Sequence, residues 1–110
     1  MSSAGSALER IPVVAGLAYI ERVRLLPAGF TATLVAEPDN RYFPHAIAVT
    51  ASGQKVGYVA PEVARRYFDA VKSSASPIEC PGRRATGSDH ETSGVELLLD
   101  FSNLSISPGE

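Results

Sequence analysis

The stretch EPDNRYFPHAIAV at residues 37–49, followed after one turn by GQKVGYV at residues 53–59, decides how this chain folds. Pro38 fixes its own φ and pushes Glu37 towards extended backbone, while Asp39 and Asn40 bond the main chain two residues on and tolerate turn geometry. Pro44 keeps the turn from becoming a helix. Residues 46–49 then read as a short strand with Ile47 and Val49 on one face. Ser52 and Gly53 reverse the chain, and residues 55–59 return as the hairpin partner. Tyr42, Phe43 and Tyr58 therefore fall on one turn-and-hairpin unit, in a chain with four Tyr, four Phe and no Trp.

Working outward, residues 11–19, IPVVAGLAY, have the small and branched apolar content of a first strand, with Gly16 as a bulge or close-approach point. Ile20, Val23 and Leu26 recur at i, i+3 and i+6, which predicts a short helical turn. Residues 27–29 form a turn, and residues 30–36 alternate as a strand, with Ala32, Leu34 and Ala36 on one side. On the other flank, Pro61 suits the first position of a helix and Glu62 suits its first turn. Val63, Ala64, Tyr67, Phe68 and Val71 make one stripe of that helix, and Arg65, Arg66, Asp69 and Lys72 its wet side. Residues 77–80 open a further strand, 81–92 read as a polar loop, and Val95, Leu97, Leu99 and Phe101 alternate inward with Glu96 and Asp100 outward. The sum is a mainly β chain: a small OB-like or SH3-like barrel of about six strands, with one main helix and a short helical turn. The expected barrel domain covers 11–102, between a flexible leader at 1–10 and a flexible tail at 103–110.

A chain of 110 residues buries roughly two thirds of its unfolded surface and needs no staple to fold. Cys80 is the single cysteine, which excludes an internal disulfide and a Cys-rich zinc site. No basic n-region or long apolar run marks a signal peptide or a membrane span, so a cytoplasmic home is expected, nucleoid-associated if the protein binds DNA. Ten basic residues face twelve acidic ones. Five of the acidic residues, Asp89, Glu91, Glu96, Asp100 and Glu110, lie where there is no Lys or Arg, so residues 1–88 are mildly basic.

The two quoted blocks, continued as GQKVGYVAPEVARRY, resemble the HIRAN domain. Its pattern runs from an acidic or polar residue and Pro through Asn and Tyr to an Ala-Ile-x-Val strand, a Gly-Tyr/His-Leu/Val strand and an amphipathic helix. The resemblance covers residues 13–71 with good spacing and 78–101 more loosely. It implies an OB-like barrel that grips single-stranded DNA, especially a 3′ end, without catalysis, in the service of repair or fork processing. It also implies a helicase, translocase or nuclease as protein partner, and no cofactor. By position it points to Tyr19 at the end of the first strand, to Asp39, Asn40 and Tyr42 in the turn, to His45 before the Ala-Ile strand and to Tyr58 on the hairpin. Arg41 is placed to meet a phosphate. A ring such as Tyr19 or Tyr42 offers a stacking face to a base, worth roughly 1–3 kcal/mol. Three positions depart from the pattern: Phe43 stands where Asp is usual after the tyrosine, Pro61 where a basic residue often starts the helix, and Ala18 where a basic residue often precedes the first tyrosine.

Each of these residues also has a purely structural reading. Tyr42, Phe43 and Tyr19 can serve as staples on the barrel. Tyr58 can pack within the hairpin, Asp39 and Asn40 can act as turn formers, and His45 can bond locally. Arg65, Arg66 and Lys72 suit a solvated helix face, whereas Arg83 and Arg84 are better placed for phosphate. Asp89, His90 and Glu91 are consecutive on a loop and point apart. Neither a Ser/His/Asp set, a phosphate loop nor a zinc set is present, so an enzyme is not expected. The competing class is a protein-interaction adaptor that keeps the barrel without DNA affinity.

Overall fold

A computed structural model describes residues 11–14, 16–84, 95–104 and 106. The proposed leader at 1–10, the Asp89-His90-Glu91 cluster and most of the loop before residue 95 lie outside the described residues.

Six strands form a closed antiparallel barrel: β1 (Ile11–Val14), β2 (Gly29–Glu37), β3 (Ala46–Ala51), β4 (Gln54–Val59), β5 (Ile78–Arg84) and β6 (Val95–Leu99). Their order around the barrel is β1-β4-β3-β2-β5-β6, and β6 returns to pair with β1. The central hairpin forms as its sequence dictates. Ala51 pairs with Gln54, and the two residues between them, Ser52 and Gly53, both have positive φ, 54° and 79°. That is a two-residue turn whose twist matches the strands it joins.

Alternation sends Ala32, Leu34, Ile47, Val49 and Ala51 into the interior, and a bulge in β4 turns both Val56 and Val59 inward, where Leu97 and Leu99 from β6 meet them. Helix α2 (Pro61–Ser73) closes over this core with Ala64, Tyr67, Phe68 and Val71, the stripe expected from the sequence. Burial of each such large side chain is worth about 1.5–3 kcal/mol. The Tyr67 ring stands edge-on to Phe101 at 5.0 Å. Leu104 and Ile106 also rest against the core.

Two segments depart from their expected form. The first strand does not run to Tyr19: β1 stops at Val14, and residues from Gly16 fold into helix α1 (Gly16–Arg24). Its inward face is set by Tyr19, Val23 and Leu26, at i, i+4 and i+7, with Val23 fully buried. Arg22 and Arg24 occupy its last turn, where the helix dipole favours cations. The chain then tightens, the Leu25 and Leu26 amides donating to the carbonyls of Arg22 and Val23.

The second departure concerns residues 81–84, which belong to β5 rather than to a loop. Pro81 has no N–H to give, and pairing of β5 with β6 begins one residue later, at Gly82 opposite Leu99. The Pro81 carbonyl accepts from the Asp100 amide. A Cβ on Gly82 would sit 2.7 Å from the Phe30 ring, so only glycine lets that ring pack where the barrel closes.

Candidate functional site

The segment between β2 and β3 is held by one side chain. Asn40 Oδ1 accepts hydrogen bonds from the amides of Tyr42 and Phe43, at 2.8 and 2.9 Å, and the Asn40 amide donates to the Glu37 carbonyl at 3.1 Å. The segment is thus shaped as a turn braced from within by Asn40, with the Tyr42 and Phe43 side chains left outward. Tyr42 is 81% exposed and Phe43 50% exposed. Asp39, Arg41 and His45 are exposed as well, although the His45 ring also stands edge-on to buried Phe68 of α2 at 5.1 Å. That contact pins the end of the turn to the helix.

A half-open groove of about 480 Å³ lies between this turn and the first turns of α2. Phe43, Pro44 and His45 form one wall, Pro61, Glu62 and Arg65 the other, and Ala46, Val59 and Ala64 lie among its lining with Val14 and Tyr58. Small side chains at Ala46 and Ala64 make the room, and the volume falls within the ~300–1,000 Å³ usual for ligand clefts.

Tyr58 joins this groove to a polar cluster on the outer face of the barrel. Its hydroxyl donates to Glu37 Oε1 at 2.8 Å, the Lys55 ammonium donates to Glu37 Oε2 and, at 2.9 Å, to the Tyr58 hydroxyl, and Asn40 Nδ2 donates to Glu37 Oε1 at 3.2 Å. One carboxylate therefore ties β2, the turn and β4 together. The reach is possible because the outward residues of β3 that lie between Glu37 and Tyr58 are alanines: Ala46 pairs with Glu37, and Ala48 with both Val35 and Tyr58. Burial pushes the Glu37 carboxyl up, but the bonds from Lys55, Tyr58 and Asn40 outweigh it and leave the pKa lowered. The bonds to Glu37 and Tyr58 raise the Lys55 pKa against desolvation. Burial, helped by the bond to Glu37 and opposed by Lys55, raises that of Tyr58.

Of the residues proposed from sequence, Asp39, Asn40, Arg41, Tyr42 and His45 share the turn, and Tyr58 stands beside it. Tyr19 is placed differently from expectation. It projects from α1 rather than from the end of a strand, and its ring meets Tyr58 edge-on at 6.5 Å without lining the groove. The Asn40 side chain is turned inward onto its own turn. Glu37 and Lys55 were missed, because Lys55 and Tyr58, three residues apart, reach the same outer face only through the register shift between Val49 and Thr50, which simple alternation does not reveal.

Cys80 is buried, and burial, with a smaller contribution from Asp100, pushes its thiol up to about 12, which leaves it inert as a nucleophile. Among the described residues there is no group of three His, Cys, Asp or Glu able to hold a metal, and no helix long and apolar enough to cross a membrane.

The HIRAN domain model matches residues 13–89 of the 110 residues. The chain belongs to the HIRAN domain family. No curated protein and no solved structure gives a match. HIRAN domains are nucleic-acid-binding modules, and the matched span takes in α1, the exposed turn, the groove and the Glu37 cluster of this one.

Proposed function

We propose that this HIRAN domain binds single-stranded DNA without catalysis, taking strand ends exposed in repair or fork processing and presenting them to a helicase, translocase or nuclease. The observation that carries the reading is the pair Tyr42 and Phe43, held out into solvent by Asn40 beside an apolar groove. Rings left in water on a braced turn are a stacking platform for an unpaired base, worth roughly 1–3 kcal/mol per base. Tyr42 presents the platform, Phe43 and Tyr58 flank the groove that takes the neighbouring base or sugar, and Arg41 meets a phosphate. Asn40 serves as the brace of the turn, and Asp39 and His45 border the platform. Tyr19 supports Tyr58 from behind. Fluorescence anisotropy with 3′-ended, 5′-ended and end-blocked oligonucleotides at low salt tests this. Tyr42→Ala is expected to weaken binding roughly ten-fold or more; absence of binding by the wild type, or equal affinity in the variant, removes the reading.

A second reading is favoured by the walls of the groove. With Phe43, Pro44 and Pro61 lining it and Lys55 neutralised by Glu37, the cleft also suits an apolar peptide, making the domain a protein-interaction adaptor. A peptide partner would survive salt washing, whereas DNA affinity falls steeply with salt.

A further inference from the structure

The groove beside the exposed turn is lined by apolar side chains and by the polar ones of His45, Tyr58, Glu62 and Arg65. Two of these are occupied within the protein: the Tyr58 hydroxyl bonds Glu37 and Lys55, and the His45 ring stands against Phe68. Glu62 and Arg65 are exposed, and among the described residues neither makes a hydrogen bond or an ion pair. They stand three residues apart in the first turns of α2, a spacing that brings both off one face of the helix with their Cβ atoms about 5–6 Å apart. An exposed pair of this kind gains little by closing on itself, so a ligand that answers both charges meets little competition. A phosphate does not answer both, because in this groove it faces the Glu62 carboxylate together with the Arg65 guanidinium. The complementary partner is a flat edge that offers acceptors and donors side by side.

We infer that the groove is a base pocket selective for guanine, read by Arg65 at N7 and O6 and by Glu62 at N1 and N2. This rests on the nucleic-acid reading of the turn and names which base of the strand enters beside it. Guanine presents two adjacent acceptors, N7 and O6, which suit the planar fork of an arginine, and next to them two adjacent donors, N1–H and the N2 amine, which suit the two oxygens of a carboxylate. No other DNA base carries both pairs on one edge. Adenine and thymine alternate acceptor and donor, and cytosine has an acceptor pair with a single donor group. The rest of the lining fits a flat ring: Phe43 and Pro44 on one wall and Pro61 on the other offer apolar surface to its faces, and the volume of about 480 Å³ takes one nucleotide. The exposed platform at Tyr42 accepts any base, so selectivity resides in the groove.

The test uses the full chain and oligothymidylate decanucleotides carrying one dG at the 3′ end, in the middle or at the 5′ end, titrated by anisotropy against the all-thymidine strand. One dG placement is expected to tighten binding about ten-fold. At that placement dA and dC should give a smaller gain. Deoxyinosine, which lacks the N2 amine, and 7-deazaguanine, which lacks N7, should each forfeit part of the gain. Glu62→Gln and Arg65→Gln, with circular dichroism confirming the fold, should each reduce the dG-to-dT affinity ratio several-fold. In Arg65→Gln the 7-deaza substitution should no longer matter, and in Glu62→Gln the inosine substitution should no longer matter, a pattern that a merely structural role for either residue does not produce. The base analogues test the same contacts on the unaltered protein. Equal wild-type affinity for dG and dT at every placement, a larger gain from dC than from dG, or a ratio unchanged in either variant overturns the guanine pocket while leaving the turn as a site. If the wild type binds none of the strands, the reading of the turn falls and the pocket with it.

Discussion

Glu37 shows how much one side chain organises here. Its carboxylate receives bonds from Asn40, Lys55 and Tyr58, so its ionisation is linked to the shape of the turn. A carboxyl whose folded pKa is lowered contributes stability that is full above its unfolded value and lost as pH falls through the folded one. Lys55, raised, contributes stability that is full below its unfolded value and lost as pH rises through its folded one. The cluster is therefore at full strength between the ordinary carboxylate and ammonium values, about 4.3 and 10.4. Glu37→Gln should lower the urea midpoint at neutral pH and flatten its decline on acidification below about pH 4; an unchanged acid limb would separate Glu37 from the effect. Phe43 is the second residue to change. Phe43→Asp supplies the carboxylate that the family pattern carries after its tyrosine, and should favour a free 3′ hydroxyl over a 3′ phosphate roughly ten-fold, the worth of a charged hydrogen bond. An unchanged ratio between the two ends in an anisotropy titration counts against that assignment.

At the scale of elements, the β3–β4 hairpin carries a removable strain. Ser52 sits at φ 54°, a region that costs an ordinary residue about 1–2 kcal/mol and glycine or asparagine less. Ser52→Asn, giving an Asn-Gly turn, should raise stability by about 0.5–1 kcal/mol, read as a higher urea midpoint at constant slope; a fall would mean that Ser52 contributes a contact that offsets its strain. The stripe of α2 was legible because it repeats one period over its whole length, this hairpin because Ser52-Gly53 marks its turn, and β6 because Leu97, Leu99 and Phe101 alternate inward, although Leu98 is buried as well. Helix α1 was not. Residues 16–19 are small or apolar without a polar partner to reveal the period, so they extended the apparent first strand, and the helix declares itself only through Tyr19, Val23 and Leu26 once the core is there to receive them. Residues 81–84 were hidden by Pro81 and Gly82, which punctuate a loop in most settings but here suit barrel closure. That residues 39–43 form one polar, ring-bearing turn was legible from the type and order of the residues. The Glu37 cluster was not, because it depends on which alanines separate two strands.

For the whole molecule, closure is the governing property. Every described strand has a neighbour on both sides, so no edge is left to fray or to recruit another chain. Amide hydrogen exchange should therefore find β1 and β6 protected in the same cooperative unit as β3 and β4; markedly faster exchange of the outer pair would mean that the barrel opens at that seam.

The same seam sets where the polypeptide comes and goes. With Ile11 opposite Leu99, the incoming and outgoing strands are side by side, their Cα atoms about 5 Å apart. Past Leu99 the chain still lays Phe101, Leu104 and Ile106 on the core, so a cut that separated β6 from this packed segment would strip apolar cover from the barrel, whereas segments joined before Ile11 start beside it.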